Sequence, residues 1–209
     1  MRRDSLLLRY TDSERMNHWV IAIFFVFAAL SGLAFFHPAF FFLTNLFGGG
    51  SWSRILHPFF GVIMFVSFLG LFFRLWRANV MTDADREWRR HSADMLRGDK
   101  SKMPPVGKYN AGQKGIFWAM AVSLAVLIVT GVMFWRPWFA PYFPITVGRI
   151  AVLLHAIAAV VLILATIVHV YAAIWVKGTV RAMTRGTVTE SWARQHHALW
   201  HRDMTQGRR

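Results

Sequence analysis

His155 and His169 lie in the stretch Val152 to Val176, which reads VLLHAIAAVVLILATIVHVYAAIWV and contains no Lys, Arg, Asp or Glu. A run of this length can cross a bilayer as a helix, for which about 20 apolar residues suffice. Ionisable side chains are rare inside such a segment because burying them in hydrocarbon is costly, so each imidazole implies a function. The two histidines are 14 residues apart. At about 1.5 Å and 100° per residue, that is about 21 Å of rise, ending about 40° short of four turns. They therefore share one face of one helix, one near each membrane surface. His18 and His57 border two other apolar runs in the same way.

The elements that must position these residues follow from composition. The chain has 209 residues, 56% of them hydrophobic, with 19 Phe and 10 Trp, which is too apolar for an ordinary soluble domain. Four apolar runs, at about 18–36, 55–76, 115–135 and 149–176, predict an all-α, integral membrane four-helix bundle forming a single membrane domain over 1–209. A hydrated loop at 77–112, with one short helix ended by Pro104-Pro105, and a basic tail at 177–209, helical around 190–200, complete it. Pro137, Pro141 and Pro144 break the chain after the third run. The charged lead and the first apolar run are both longer than a signal peptide has, so that run reads as a retained span. No internal repeat is evident.

The net charge of +14 is distributed in blocks. The segments 1–15, 74–114 and 177–209 hold 21 of the 24 Lys and Arg and all ten acids. The other two connections hold only Arg54, Arg136 and Arg149. Positive residues favour the cytoplasm, so both termini are expected there. The clustering points to membrane lipid, and no nucleic-acid partner is expected. Trp19, Trp52, Trp76, Trp135, Trp138 and Trp175 fall at span ends, as interfacial aromatics do.

With that orientation the four histidines form two level pairs, His57 with His155 near the outer face and His18 with His169 near the inner face. Two pairs at two depths match two haems stacked across a membrane. A six-coordinate haem iron needs an axial ligand on each side, and neutral imidazole suits iron. Helix bundles build such sites from facing helices. Two strong axial ligands leave no open position, so the chemistry is electron transfer. The absence of cysteine excludes thiolate-ligated iron–sulfur clusters and thioether-attached haem. Gly32, Gly61, Gly115 and Gly131 could admit a flat macrocycle, and close helix packing would use them equally well. Arg54, three residues before His57, is a candidate propionate partner. His37 and His91 read as solvated loop residues. His197 and His201, at i, i+4 spacing, read as part of a basic surface helix, with a metal site as the other reading.

Across nearly its whole length, in four spans, histidine placement and the motif Asn110-Ala111-Gly112-Gln113-Lys114-Gly115, the chain resembles the cytochrome b (gamma) subunits of respiratory formate dehydrogenase, of the formate dehydrogenase N type. That resemblance implies two haem b groups, with His57 and His155 binding iron near the periplasm and His18 and His169 binding it near the cytoplasm. It implies a quinone site, for menaquinone or ubiquinone, bordered by Asn110, Gly112, Gln113 and His169. Electrons would arrive from an iron–sulfur (beta) subunit, supplied by the catalytic (alpha) subunit that oxidises formate, and leave on quinone reduced at the cytoplasmic side. A trimer of heterotrimers is the assembly implied.

Read from the residues alone, the Asn110–Gln113 motif is less specific. Asn110 suits the cap of the third span, whose free N–H groups face the interface, and capping alone would explain it. Two rivals share the same features. One is the cytochrome b subunit of another membrane dehydrogenase such as a hydrogenase. The other is a proton transporter with a histidine relay, which the lack of Asp or Glu in the spans disfavours.

Overall fold

Each span starts before its apolar run does, and in two of them polar residues close the first turn. The computed structural model describes residues 5–97, 103–136 and 138–207; Arg2, Arg3 and Pro137 lie outside the described residues. Helix α1 covers Asp12–Phe36. Ahead of it, the Thr11 N–H donates to Glu14 Oε2 at 2.8 Å while the Glu14 N–H donates to Thr11 Oγ1 at 3.3 Å, a reciprocal cap that satisfies two orphan donors. Helix α2 covers Gly50–Leu75 and follows Gly48 and Gly49, both with positive φ (85° and 96°), a turn that residues with a Cβ enter only under strain.

The shorter helices α3 and α4 cover Asp83–Arg90 and Ser92–Leu96. Helix α5 covers Ala111–Met133 and α6 covers Ile145–Trp175. The tail adds α7 at Thr179–Arg185, α8 at Glu190–His196 and α9 at Ala198–Gln206. The four long helices α1, α2, α5 and α6 are all long and apolar enough to cross a membrane, so the all-α, four-span architecture expected from the sequence is present.

The chain forms two compact units. One, residues 16–73 and 119–167, contains most of each span and packs as a helical bundle. Its core is Met64 and Phe68 of α2 with Leu124 of α5 and Leu162 of α6, against which Ile21, Phe24 and Phe25 of α1 pack. The Asn17 amide donates to the Ser67 carbonyl at 2.9 Å, tying α1 to α2. Leu153, Ile157 and Leu164 of α6 remain exposed, an apolar surface that hydrocarbon satisfies.

The other unit comprises the described parts of 1–15, 74–118 and 168–209, and to the loop and tail helices that the sequence predicts it adds a pair of strands. Strand β1 (Leu6–Leu8) pairs antiparallel with β2 (Thr187–Thr189), Leu7 facing Val188. Leu7, Ala182, Val188, Trp192, Ala193 and Trp200 form a small core of their own. Three-residue strands are too short to show an alternating pattern, and their pairing spans most of the sequence, so no local signal announces them. Lys114 and Asp85 make a buried ion pair at 2.6 Å, and Lys114 Nζ also donates to the Val80 carbonyl at 2.9 Å. Trp118 Nε1 donates to the Asn79 carbonyl at 2.9 Å, so α5 holds the segment leading into α3 at three points.

Candidate functional site

His57 and His155 meet inside the helical bundle, with ring centroids 6.2 Å apart and ring planes 68° apart. Each ring is seated by the helix that precedes it in the chain. Ser31 of α1 donates its hydroxyl hydrogen to the Phe27 carbonyl at 2.7 Å, one turn back on its own helix. Its oxygen is thereby left to accept, and it lies 2.9 Å from His57 Nδ1. Thr130 of α5 repeats the arrangement, donating to the Val126 carbonyl at 2.6 Å and lying 3.0 Å from His155 Nδ1.

Both contacts assign the imidazole proton to Nδ1, because the hydroxyl hydrogen is already committed. Each Nε2 then carries a lone pair. This is how a ring is prepared as a metal ligand: a partner at one nitrogen selects the tautomer and aims the other.

Glycines complete the seats. A Cβ on Gly32 would lie 3.0 Å from His57 Cε1, and one on Gly131 would lie 3.3 Å from His155 Cε1. These two glycines therefore admit the imidazole edges. Gly61 and Gly115 differ, since a Cβ on either meets nothing within 4 Å. Phe134 packs edge-on to His155 with centroids 5.1 Å apart. Pro58 follows His57 inside α2 and removes the N–H that would bond to the Arg54 carbonyl. The Arg54 guanidinium lies 5.8 Å from the Phe35 ring centroid.

The α1–α2 and α5–α6 pairs thus use one device twice, a hydroxyl–glycine dipeptide 26 or 25 residues before a histidine. Ser31 and Thr130 are the residues the sequence reading missed, and the signal that could have found them is this spacing.

The remaining sequence-selected residues are placed as follows. His18 is on α1 in the bundle unit, its ring perpendicular to that of Trp19 at 5.5 Å. His169 is on α6 in the other unit. Asn110 and Gln113 form a reciprocal cap on α5: the Gln113 N–H donates to Asn110 Oδ1 and the Asn110 N–H to Gln113 Oε1, both at 2.9 Å. The cap engages both amide oxygens, whereas the amide NH2 groups are donors. Gly112 lies beneath Trp88 of α3, where a Cβ would come within 3.2 Å of Cη2.

The expectations for His197, His201 and His91 change. His197 is buried between α8 and α9, with Nδ1 2.8 Å from the Gly107 carbonyl, and burial followed by the Arg9 charge lowers its pKa to about 3. It is therefore neither a surface residue nor a metal ligand paired with His201, which instead lies 3.2 Å from Glu190. His91 contacts Glu87 and Asp94, at 3.1 and 3.3 Å, rather than solvent alone. His37 is exposed, as expected of a loop residue, and its Nδ1 accepts from the Ala39 N–H at 3.2 Å to cap the 3-10 helix Pro38–Phe47. No cluster of three or more metal-ligating side chains is present among the described residues.

Comparison with known proteins gives a consistent result. Residues 9–186 match the family described as Prokaryotic cytochrome b561. The formate dehydrogenase cytochrome b556(fdo) subunit of Escherichia coli (strain K12) is 46% identical over 98% of this chain and 96% of its own length. The nitrate-inducible formate dehydrogenase cytochrome b556(Fdn) subunit of the same strain is 42% identical over 98% and 94%. The formate dehydrogenase cytochrome b556 subunit of Haemophilus influenzae is 38% identical over 96% and 84%. Together with the four spans, this makes the protein a multi-pass protein of the bacterial inner membrane. The chain belongs to the prokaryotic cytochrome b561 family and, within it, to the cytochrome b subunits of formate dehydrogenases.

Proposed function

We propose that this chain is the di-haem membrane anchor of its complex, carrying electrons from an iron–sulfur subunit on the periplasmic side to a quinone on the cytoplasmic side. The His57–His155 pair carries the proposal. An imidazole nitrogen lies about 2 Å from a bound first-row metal and about 1 Å from its own ring centre, so two rings flanking one iron have centroids about 6 Å apart. The observed 6.2 Å fits that requirement, as do two histidines whose Nδ1 contacts leave Nε2 for the metal. Haem b held there would supply one-electron chemistry with no open coordination position.

The chain's own residues do the rest. Ser31 and Thr130 set the tautomers, Gly32 and Gly131 let the rings approach, and the apolar helices exclude water from the pair. His18 and His169, placed near the inner ends of their spans by sequence, are the proposed ligands of the second haem. Asn110, Gly112, Gln113 and His169 are proposed to border the quinone, menaquinone or ubiquinone. The NH2 groups of the Asn110 and Gln113 amides suit its carbonyl oxygens as hydrogen-bond acceptors. A catalytic subunit oxidising formate is proposed from the relatives' names, and a trimer of heterotrimers from the resemblance alone.

The test is spectroscopic. Purified chain should yield two extractable b-type haems with low-spin spectra, and His57→Ala should remove one of them. One haem per wild-type chain, or a high-spin five-coordinate spectrum, would refute the di-haem reading.

A further inference from the structure

Three consecutive backbone carbonyls just ahead of Asn110 are each held by a group from the N-terminal segment or the tail. The Val106 carbonyl accepts from the Leu199 N–H at 3.1 Å. The Gly107 carbonyl accepts from His197 Nδ1 at 2.8 Å, and the Lys108 carbonyl from Arg9 Nη2 at 2.6 Å. Because Nδ1 of His197 is the donor, its Nε2 is the acceptor, and it lies 3.2 Å from Arg9 Nη2. Arg9 is 5% exposed and His197 3%.

Among the described residues no carboxylate pairs with Arg9. Its guanidinium instead lies over Trp200 at 4.8 Å and Trp192 at 5.1 Å, with the Tyr10 and Tyr109 rings at 5.8 and 5.9 Å. A guanidinium is planar, weakly hydrated and stacks on aromatic faces, so this buried place suits arginine and not lysine. β1–β2 pairing brings the N-terminal segment to the tail, and Arg9 with His197 brings both to residues 106–108. Two residues later the chain enters the Asn110–Gln113 cap.

We propose that Arg9 and His197 are positioning residues for a quinone-headgroup site at Asn110, Gly112 and Gln113, acting through the backbone of residues 106–108. The proposal rests on the quinone reading given above. A clamp that served only the fold would lower yield and stability without separating KM from kcat, whereas a positioning clamp moves the amide donors relative to the headgroup.

The experiment uses the whole membrane-bound complex, with formate as donor and menadione as acceptor. His197→Phe keeps a ring in the cavity and removes both hydrogen bonds. It should raise KM for menadione about tenfold, equivalent to about 1.4 kcal/mol, while leaving formate-driven cytochrome reduction at the wild-type rate. His197→Asn, whose amide can still donate to the Gly107 carbonyl, should recover most of the affinity. Asn110→Ala and Gln113→Ala are measured alongside. If they raise KM and His197→Phe does not, the positioning role is wrong and the quinone reading stands. If none of the three changes KM, the quinone reading is wrong and the positioning role falls with it. Should His197→Phe fail to assemble, Arg9→Lys, which keeps the charge and loses the planar fork, is judged by the same criteria.

Discussion

Gly32 and His57 are in close contact: a Cβ on residue 32 would sit 3.0 Å from His57 Cε1, tighter than nearly all Cβ contacts, so the ring would have to give way. Gly131 and His155 repeat the relationship at 3.3 Å. Gly32→Ala should therefore displace the His57 ring and deplete one haem, and Gly131→Ala should do the same to a lesser degree. Ser31→Ala leaves the ring its space and removes the partner that selects its tautomer. Removing the hydrogen-bond partner of a metal-binding imidazole typically weakens the site about 10- to 100-fold, so Ser31→Ala should accelerate haem transfer to a soluble haem scavenger. Equal haem retention in all three variants would show that the seats are packing features.

The buried Lys114–Asp85 pair predicts an asymmetry between single and double variants. Lys114→Met strands a buried carboxylate and should destabilise by about 3–5 kcal/mol. Lys114→Met with Asp85→Leu should recover most of that, since the replacement is apolar on both sides. Thermal unfolding in detergent measures it; equal losses in single and double variants would mean the pair contributes through something other than its charges.

His197 predicts acid lability of its unit. Its pKa falls from 6.5 to about 3 on folding, through burial first and the adjacent Arg9 charge second, with His196 also contributing. Between those values the unfolded imidazole is protonated and the folded one is not, so the unfolded state binds more protons. Stability is therefore complete above pH 6.5 and declines as pH falls towards about 3. Protease cleavage of the tail, followed from about pH 7 to about pH 4, should accelerate in the wild type. His197→Phe should flatten that slope, and an unchanged slope would refute the assignment.

Topology is predicted from charge alone. Reporter fusions after Gly49 and after Pro141 should report the periplasm, and fusions after Asp94 and at the C-terminus the cytoplasm. A periplasmic signal at Asp94 would invert the depth of both histidine pairs.

Much of this protein is written in one-dimensional patterns. The four spans are legible because bilayer hydrocarbon demands about 20 apolar residues in each. The histidines are legible because an imidazole in such a run is conspicuous, and His57 and His155 could be paired by depth before either was seen in contact. Helices α1, α2, α5 and α6 begin four to six residues ahead of the apolar runs, and Thr11–Glu14 and Asn110–Gln113 cap two of those starts, which hydropathy alone does not register. Ser31 and Thr130 were not selected, since a hydroxyl in a membrane helix ordinarily bonds its own backbone, and only the neighbouring helix shows that its oxygen also meets a ring. Nor could composition place Arg9 and His197. A basic segment and a basic tail read as solvated surface, and only the β1–β2 pairing across most of the chain brings them together under four aromatic rings. Local hydropathy records where a chain must leave water, while long-range contacts determine which polar groups are buried with partners.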